Sequence, residues 1–253
     1  MRFKYAFFFL ALAASVQADW TTVSTASEPG LDGLVHRHVV LENPVGSEAI
    51  TVDLAIFSTK SCTLRVLQNE GGTDSLGEVM RHEKCLAGVN GGYFNENFAP
   101  LGLRIANGQI IAPLQRARLI TGVLVASPRG VQIVRSREFS RRLGVSAAIQ
   151  CGPFLVDRGQ PTSGLNDSHL ARRTFAATTS SSRALIGVCS GVSLAELAKI
   201  LATTSLAEDL KFERALNLDG GSSSAFWFAR ENGSAFSISE QKSVRDFVGI
   251  VPK

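Results

Sequence analysis

Two stretches of the sequence combine polar side chains with paired glycines. The first is Ala87-Gly88-Val89-Asn90-Gly91-Gly92-Tyr93-Phe94, and the second is Ala215-Leu216-Asn217-Leu218-Asp219-Gly220-Gly221-Ser222-Ser223-Ser224. Each reads as an apolar strand that ends in a Gly-Gly turn. Glycine permits positive φ and close approach of backbone to a ligand, and successive amides in such a turn can form a concave nest for an anion. Taken singly, each is also an ordinary turn. The second is the less ordinary, because Asn217 and Asp219 alternate with Leu216 and Leu218 and so share one face of a strand that is otherwise apolar. Two polar groups on such a face need partners or a cleft.

The surrounding pattern supplies the elements that would hold these turns. Short apolar runs rich in β-branched residues recur at Val35–Leu41, Ile50–Phe57, Leu64–Leu67, Leu119–Val125, Thr174–Thr178 and Ala184–Cys189, and they read as strands. Hairpins are expected at Asn107-Gly108 and at Pro128-Arg129-Gly130. Ser75-Leu76-Gly77-Glu78 and Ser193-Leu194-Ala195-Glu196 are capping boxes opening two helices, one ending near Arg81-His82 and one running from Leu194 to Leu201. Helices and strands do not alternate, which argues against a doubly wound sheet. The expected fold class is α+β: a single domain of mixed, largely antiparallel sheets with two or three packed helices, spanning 35–253 behind a polar lead-in at 19–34.

The two glycine segments, in their order, resemble the two signature motifs of the phosphodiester glycosidase family, in the forms Val89-Asn90-Gly91-Gly92-Tyr93-Phe94 and Asn217-Leu218-Asp219-Gly220-Gly221-Ser222-Ser223. Pro100-Leu101-Gly102-Leu103, Gly152-Pro153-Phe154-Leu155-Val156, Arg173-Thr174 and Val244-Arg245-Asp246-Phe247 are similar to weaker blocks of that family. The resemblance covers about residues 48–252, and Ser222 stands where many relatives carry a third glycine. It implies hydrolysis of the bond between a sugar's anomeric carbon and a phosphodiester oxygen. A carboxylate would stabilise the positive charge that builds at that carbon, and Asp219 is assigned that role. Arg173 and the amides of Gly91, Gly92, Gly220 and Gly221 are assigned to the phosphate. Asn90 and Asn217 are assigned to sugar hydroxyls, Ser222 or Ser223 to a phosphoryl oxygen, and Tyr93 to the sugar ring. Glu96 is the expected second carboxylate, with Asp157, Asp167 and Asp246 as alternatives. No metal or cofactor is implied. The rival from another class is a non-catalytic module of the cell envelope that holds a glycan or phosphoglycan in the same cleft, with aromatics such as Trp227 lining an open groove.

Bulk properties bound these readings. Met1-Arg2-Phe3-Lys4, the apolar run Tyr5–Ala14 and Val16-Gln17-Ala18 make a secretory signal peptide over 1–18, with export to the periplasm or the exterior. Its apolar run is too short to span a bilayer, so stable membrane insertion is not expected. The formal charge of +4 loses Arg2 and Lys4 with that peptide, which leaves no general attraction for nucleic acid. Cys62, Cys85, Cys151 and Cys189 contain no Cys-x-x-Cys pair. In an exported chain an even count reads as two disulfides. Cys62–Cys85 with Cys151–Cys189 is favoured among three pairings, each joining segments that read as neighbouring strands. Cys189 also sits in Gly187-Val188-Cys189-Ser190-Gly191, the pattern of a nucleophile elbow, but the last histidine, His169, lies upstream of it. His36 and His38 read as exposed residues of one strand.

Overall fold

The computed structural model describes residues 20–43, 48–141, 144–204, 206 and 210–253; the expected signal peptide lies outside them. Three sheets meet around one core. An eight-stranded sheet has the order β1 (Thr21–Pro29), β2 (Val35–Glu42), β3 (Ala49–Ser58), β14 (Arg183–Val192), β13 (Ala171–Thr179), β15 (Phe212–Asn217), β11 (Phe154–Asp157), β12 (Gln160–Pro161). A second sheet runs β7 (Gln109–Ala112), β6 (Arg104–Ala106), β10 (Ala147–Cys151), β8 (Gly122–Ser127), β9 (Gly130–Arg135). The third runs β17 (Ala235–Ile238), β16 (Phe226–Ala229), β5 (Ala87–Asn90), β18 (Asp246–Pro252), β4 (Cys62–Gln68). Every pairing among these strands is antiparallel, so the mixture expected from the sequence is absent among the described residues.

Period-2 alternation explains how one set of strands serves several cores. Along β3, Ala55 and Phe57 face the core shared by all three sheets, while Val52, Leu54 and Ile56 face outward. That outer face is covered by α2 (Leu194–Thr203), through Leu197, Ala198, Ile200 and Leu201. The helix α1 (Leu76–His82) covers the outer face of the third sheet with Leu76 and Met80. Gly88 of β5 makes room for it, since a Cβ there would stand 2.1 Å from Met80 Sδ. Both capping boxes form as read. The Asn107-Gly108 turn has φ of 49° and 75°, the left-handed pair that a two-residue hairpin loop requires.

Three sequence readings are corrected. The polar lead-in contains β1, a nine-residue edge strand held to β2 by backbone pairing. It is exposed on both faces, so no apolar alternation marked it. His36 is buried rather than exposed. Its Nδ1 lies 2.7 Å from Glu28 Oε1 of β1 and its Nε2 lies 2.9 Å from Asp53 Oδ1 of β3. The ring packs among Phe226, Phe228 and Phe236 and ties the edge strand down.

The third correction concerns the cysteines: Cys62, Cys85, Cys151 and Cys189 are all free and buried. Cys62 is in register with Pro252, whereas Cys85 Sγ lies against Gly249, the partner of Arg65. That is three residues along β4, roughly 10 Å at strand rise, and beyond the reach of a disulfide. Cys151 faces the shared core and Cys189 the α2 side, so the eight-stranded sheet stands between them. The native protein should therefore leave its thiols unlabelled by a maleimide and show four on denaturation without reductant. Recovery of only two or none would restore the disulfides.

One buried ion pair joins the second and third sheets. Arg104 Nε of β6 donates to Asp246 Oδ2 of β18 at 2.7 Å, with side chains 1% and 2% exposed. The rest of the guanidinium is spent on the carbonyls of Leu103, Gln150 and Tyr93. Asp246 in turn accepts from the Gly91 amide on its carbonyl, 2.8 Å, and from the Gly92 amide on Oδ1, 2.9 Å. A Cβ on Gly91 would stand 1.9 Å from Asp246 Oδ1, and one on Gly92 2.2 Å from Arg104 Nη2. Close approach, and no unusual φ, is what demands these two glycines. Removing one partner of a buried pair strands the other charge and costs about 3–5 kcal/mol. Asp246→Ala should lose stability on that scale in urea unfolding; a loss below about 1 kcal/mol would show that water replaces the carboxylate.

Candidate active site

The two glycine motifs, in different sheets and 129 residues apart, are stitched together at their strand ends. Asn90, the last residue of β5, is fully buried. Its Nδ2 donates to the Asp219 carbonyl at 2.8 Å. Its Oδ1 accepts from Thr174 Oγ1 at 2.7 Å and from the Ala225 amide at 3.0 Å. The Asp219 amide donates back to the Gly91 carbonyl at 3.1 Å. β15 ends at Asn217, one further bond runs from the Leu218 amide to the Thr174 carbonyl of β13 at 2.8 Å, and Gly221, at φ 64°, turns the chain into a short 3-10 turn over Gly221–Ser223.

Asp219 is thereby left half-buried at the mouth of this junction. Its Oδ1 accepts from the Gly220 amide at 2.9 Å. Burial pushes its carboxyl above the ordinary value of 3.8, and the nearby Asp246 adds to that. Ser223, Lys242 and the Gly220 amide pull in the other direction without prevailing. The Ser223 hydroxyl is buried and falls short of a well-formed hydrogen bond, yet it lies near enough to favour the ionised carboxyl. Asn217 Oδ1 and Ser224 Oγ are likewise buried without partners. Three orphaned polar atoms within one short segment are unusual for a folded interior.

Tyr93 connects the two sides of the site. Its Oη donates to the Gly152 carbonyl at 2.7 Å and accepts from Asn217 Nδ2 at 3.0 Å. Asn217 Nδ2 also reaches the Gly152 carbonyl at 3.0 Å. Burial pushes the Tyr93 phenol up, the Asp219 charge raises it further, and the Arg173 charge opposes this. Tyr93 thus lies within the fields of both Asp219 and Arg173. Arg173 of β13 is buried; its Nε donates to the Val192 carbonyl at 3.0 Å and its Nη2 to the His169 carbonyl. Its Nη1 approaches Gly220, lying 3.9 Å from where a Cβ would stand.

The expected residues therefore divide. Asp219, Arg173, Tyr93, Asn217, Gly220, Gly221, Ser222 and Ser223 converge with Asn90, Gly91 and Gly92. Glu96 does not join them: it is exposed on the loop after Phe94 and bonds to neither motif. The second carboxylate at the junction is Asp246, already held by Arg104. Asn90 is a sealed clasp between the motifs, with both ends of its amide engaged inside the protein. The Gly91 amide is taken by the Asp246 backbone carbonyl, the Gly92 amide by the Asp246 carboxylate and the Gly220 amide by the Asp219 carboxylate, so these donors are met within the protein. Sequence reasoning missed Arg104, Thr174 as the partner of Asn90, and Lys242. Lys242 is exposed, with Nζ 5.3 Å from the Phe94 ring centroid, and its charge reaches Asp219. Trp227 is buried against α1 and lines no groove. Cys189 is fully buried in β14, and burial pushes its thiol up, which removes it as a nucleophile.

Comparison with known proteins places this arrangement. The family model for phosphodiester glycosidase matches residues 83–251, a span that holds both glycine motifs, Arg104, Arg173 and Asp246. The catalytic domain of zebrafish N-acetylglucosamine-1-phosphodiester alpha-N-acetylglucosaminidase, solved in a form auto-inhibited by its pro-peptide, superposes with a TM-score of 0.68 at 15% identity, covering 91% of this chain and 88% of that one. A Synechocystis protein superposes with a TM-score of 0.62 at 16% identity over 91% of this chain and 64% of that one. At these identities the likeness concerns the fold. The Escherichia coli K12 protein YigE is 32% identical over 91 residues, about a third of either chain (33% and 36%). On the strength of the family match across both motifs, the chain belongs to the phosphodiester glycosidase family.

Proposed function

We propose that the protein is an exported hydrolase that cleaves a sugar-1-phosphodiester at the anomeric carbon, with Asp219 as the catalytic carboxylate. The observation that carries this reading is the half-buried Asp219 carboxyl, set where the two family motifs join and held above the usual aspartate range. A sugar phosphate is a good leaving group, so one carboxylate facing the oxocarbenium-like carbon suffices where ordinary glycosides need a second as general acid. Lys242, Arg173 and the Ser222 hydroxyl are the groups for the departing phosphate. Asn217 and Tyr93 fix the wall behind Asp219. The exported location rests on the signal-peptide features of residues 1–18.

A single free carboxylate also suits the rival reading, a module that binds a phosphoglycan without cutting it. The burial of Trp227 removes the aromatic groove that such a module would use. Release of sugar from a panel of sugar-1-phosphodiesters separates the two. Asp219→Asn should lower turnover by roughly 10²–10⁴-fold, the scale of a positioned catalytic acid or base, with little change in binding. Equal rates for variant and wild type would end the assignment of Asp219.

The raised carboxyl also fixes two pH dependences. Asp219 must be ionised to act, so kcat/KM should climb with pH along an acid limb displaced above 3.8. For stability the sign is reversed. A group whose native pKa is raised contributes fully below its unfolded value, and that contribution is lost as pH rises through the native one. At neutral pH the ionised carboxylate is a liability, so Asp219→Asn should melt above the wild type, with the gap closing below pH 3.8. A variant that melts lower at neutral pH would show that the charge is well solvated.

A further inference from the structure

A cavity of about 570 Å³ lies beside the site and is not used by the chemistry above. We propose that it is a subsite for a second phosphate, carried on the alcohol half of the phosphodiester substrate; this rests on the hydrolase reading and extends it. Three guanidinium side chains line the cavity: Arg116, Arg135 and Arg137. Arg135 is committed to Asp157 at 2.6 Å and lies over the Phe154 ring. Arg116 and Arg137 are exposed and have no ion pair or hydrogen bond among the described residues. The nearby acids are already engaged: Asp157 by Arg135 and Arg214, Glu138 by Arg214. Two uncompensated cations therefore border the cavity, and they call for an anionic occupant.

The position suits the substrate's leaving half. Gly152, whose carbonyl takes Tyr93 Oη and Asn217 Nδ2 on the Asp219 side, is the partition. A Cβ on Gly152 would stand 2.2 Å from the Leu119 carbonyl oxygen and 2.8 Å from the Thr121 amide. The segment that supplies Ile120 and Thr121 to the cavity therefore runs directly against the wall of the site. Ile120 and Phe139 give the cavity apolar surface for the carbon atoms between two phosphates.

The test compares two synthetic substrates with the same sugar-1-phosphate, one esterified to methanol and one to glycerol phosphate. In the double variant Arg116→Gln/Arg137→Gln, kcat/KM for the second substrate should fall by about tenfold or more, the scale of charge-assisted contacts to phosphate. For the methyl ester it should stay within about twofold, which also certifies that the variant is folded. Arg116→Lys/Arg137→Lys should recover part of the loss. Equal losses on both substrates, or none on either, would overturn the subsite. Should the wild type cleave neither, the hydrolase reading fails by itself, and titration with inorganic pyrophosphate decides the cavity. Binding weakened by about tenfold in the Gln double variant sustains an anion site there, and unchanged binding removes it.

Discussion

The side-chain amide of Asn90 is the constraint on which the site depends. It is fully buried, and each of its ends meets a group from another part of the chain: the Asp219 carbonyl on one side, the Thr174 hydroxyl and the Ala225 amide on the other. A carboxamide is the side chain that presents a donor and an acceptor together on a short stem. Aspartate would set a carboxylate oxygen against a carbonyl; leucine would leave that carbonyl, the hydroxyl and an amide unpaired in the interior, each at a cost of about 1–3 kcal/mol. The residue therefore fixes the relative placement of two strand ends.

Around this clasp the protein answers polar groups with its own polar groups. The Gly91 amide pairs with the Asp246 backbone carbonyl, and the Gly92 amide with the Asp246 carboxylate. Arg104 neutralises Asp246, and the remaining guanidinium hydrogens go to backbone carbonyls. A buried pair of this kind gives little net stability over an apolar replacement, and its best-attested use is to specify one arrangement. Here the arrangement is the placement of β6 of the second sheet against the end of β5. The orphaned atoms of Asn217, Ser223 and Ser224, a few residues away, mark where this self-satisfaction stops. Unmet polar capacity concentrated at one place is what a binding site retains when the rest of an interior is fully paired.

Much of this was legible in the residues. The capping boxes at Ser75 and Ser193 gave both helices, because capping is a local transaction within four residues. Asn107-Gly108 gave its hairpin for the same reason. The alternation of Asn217 and Asp219 with leucines marked the strand end that meets the first glycine motif. The readings that failed depended on contacts made far along the chain. The polar side chains of β1 hid a strand that exists through pairing with β2. Cys62 and Cys85 lie near each other in sequence terms, but strand register sets them three residues apart. Glu96, adjacent to the motif in sequence, is exposed and bonds to neither motif, whereas Asp246, distant in sequence and among the alternatives, is the carboxylate at the junction. Nothing local to Gly91 and Gly92 reveals that their amides are met by the backbone carbonyl and the carboxylate of Asp246.

The place of β18 in its sheet has a consequence for how the molecule is made. It is the last strand of the sequence, yet it lies between β5 and β4 and contributes Asp246 to the junction. Until β18 docks, β5 lacks one neighbour, Arg104 lacks its counter-ion and the amides of Gly91 and Gly92 lack their partners. Such non-local wiring belongs to topologies of high contact order, which assemble slowly. Any folding intermediate in which β18 has not yet docked therefore holds the Asn90 clasp without the carboxylate that seals the turn beside it.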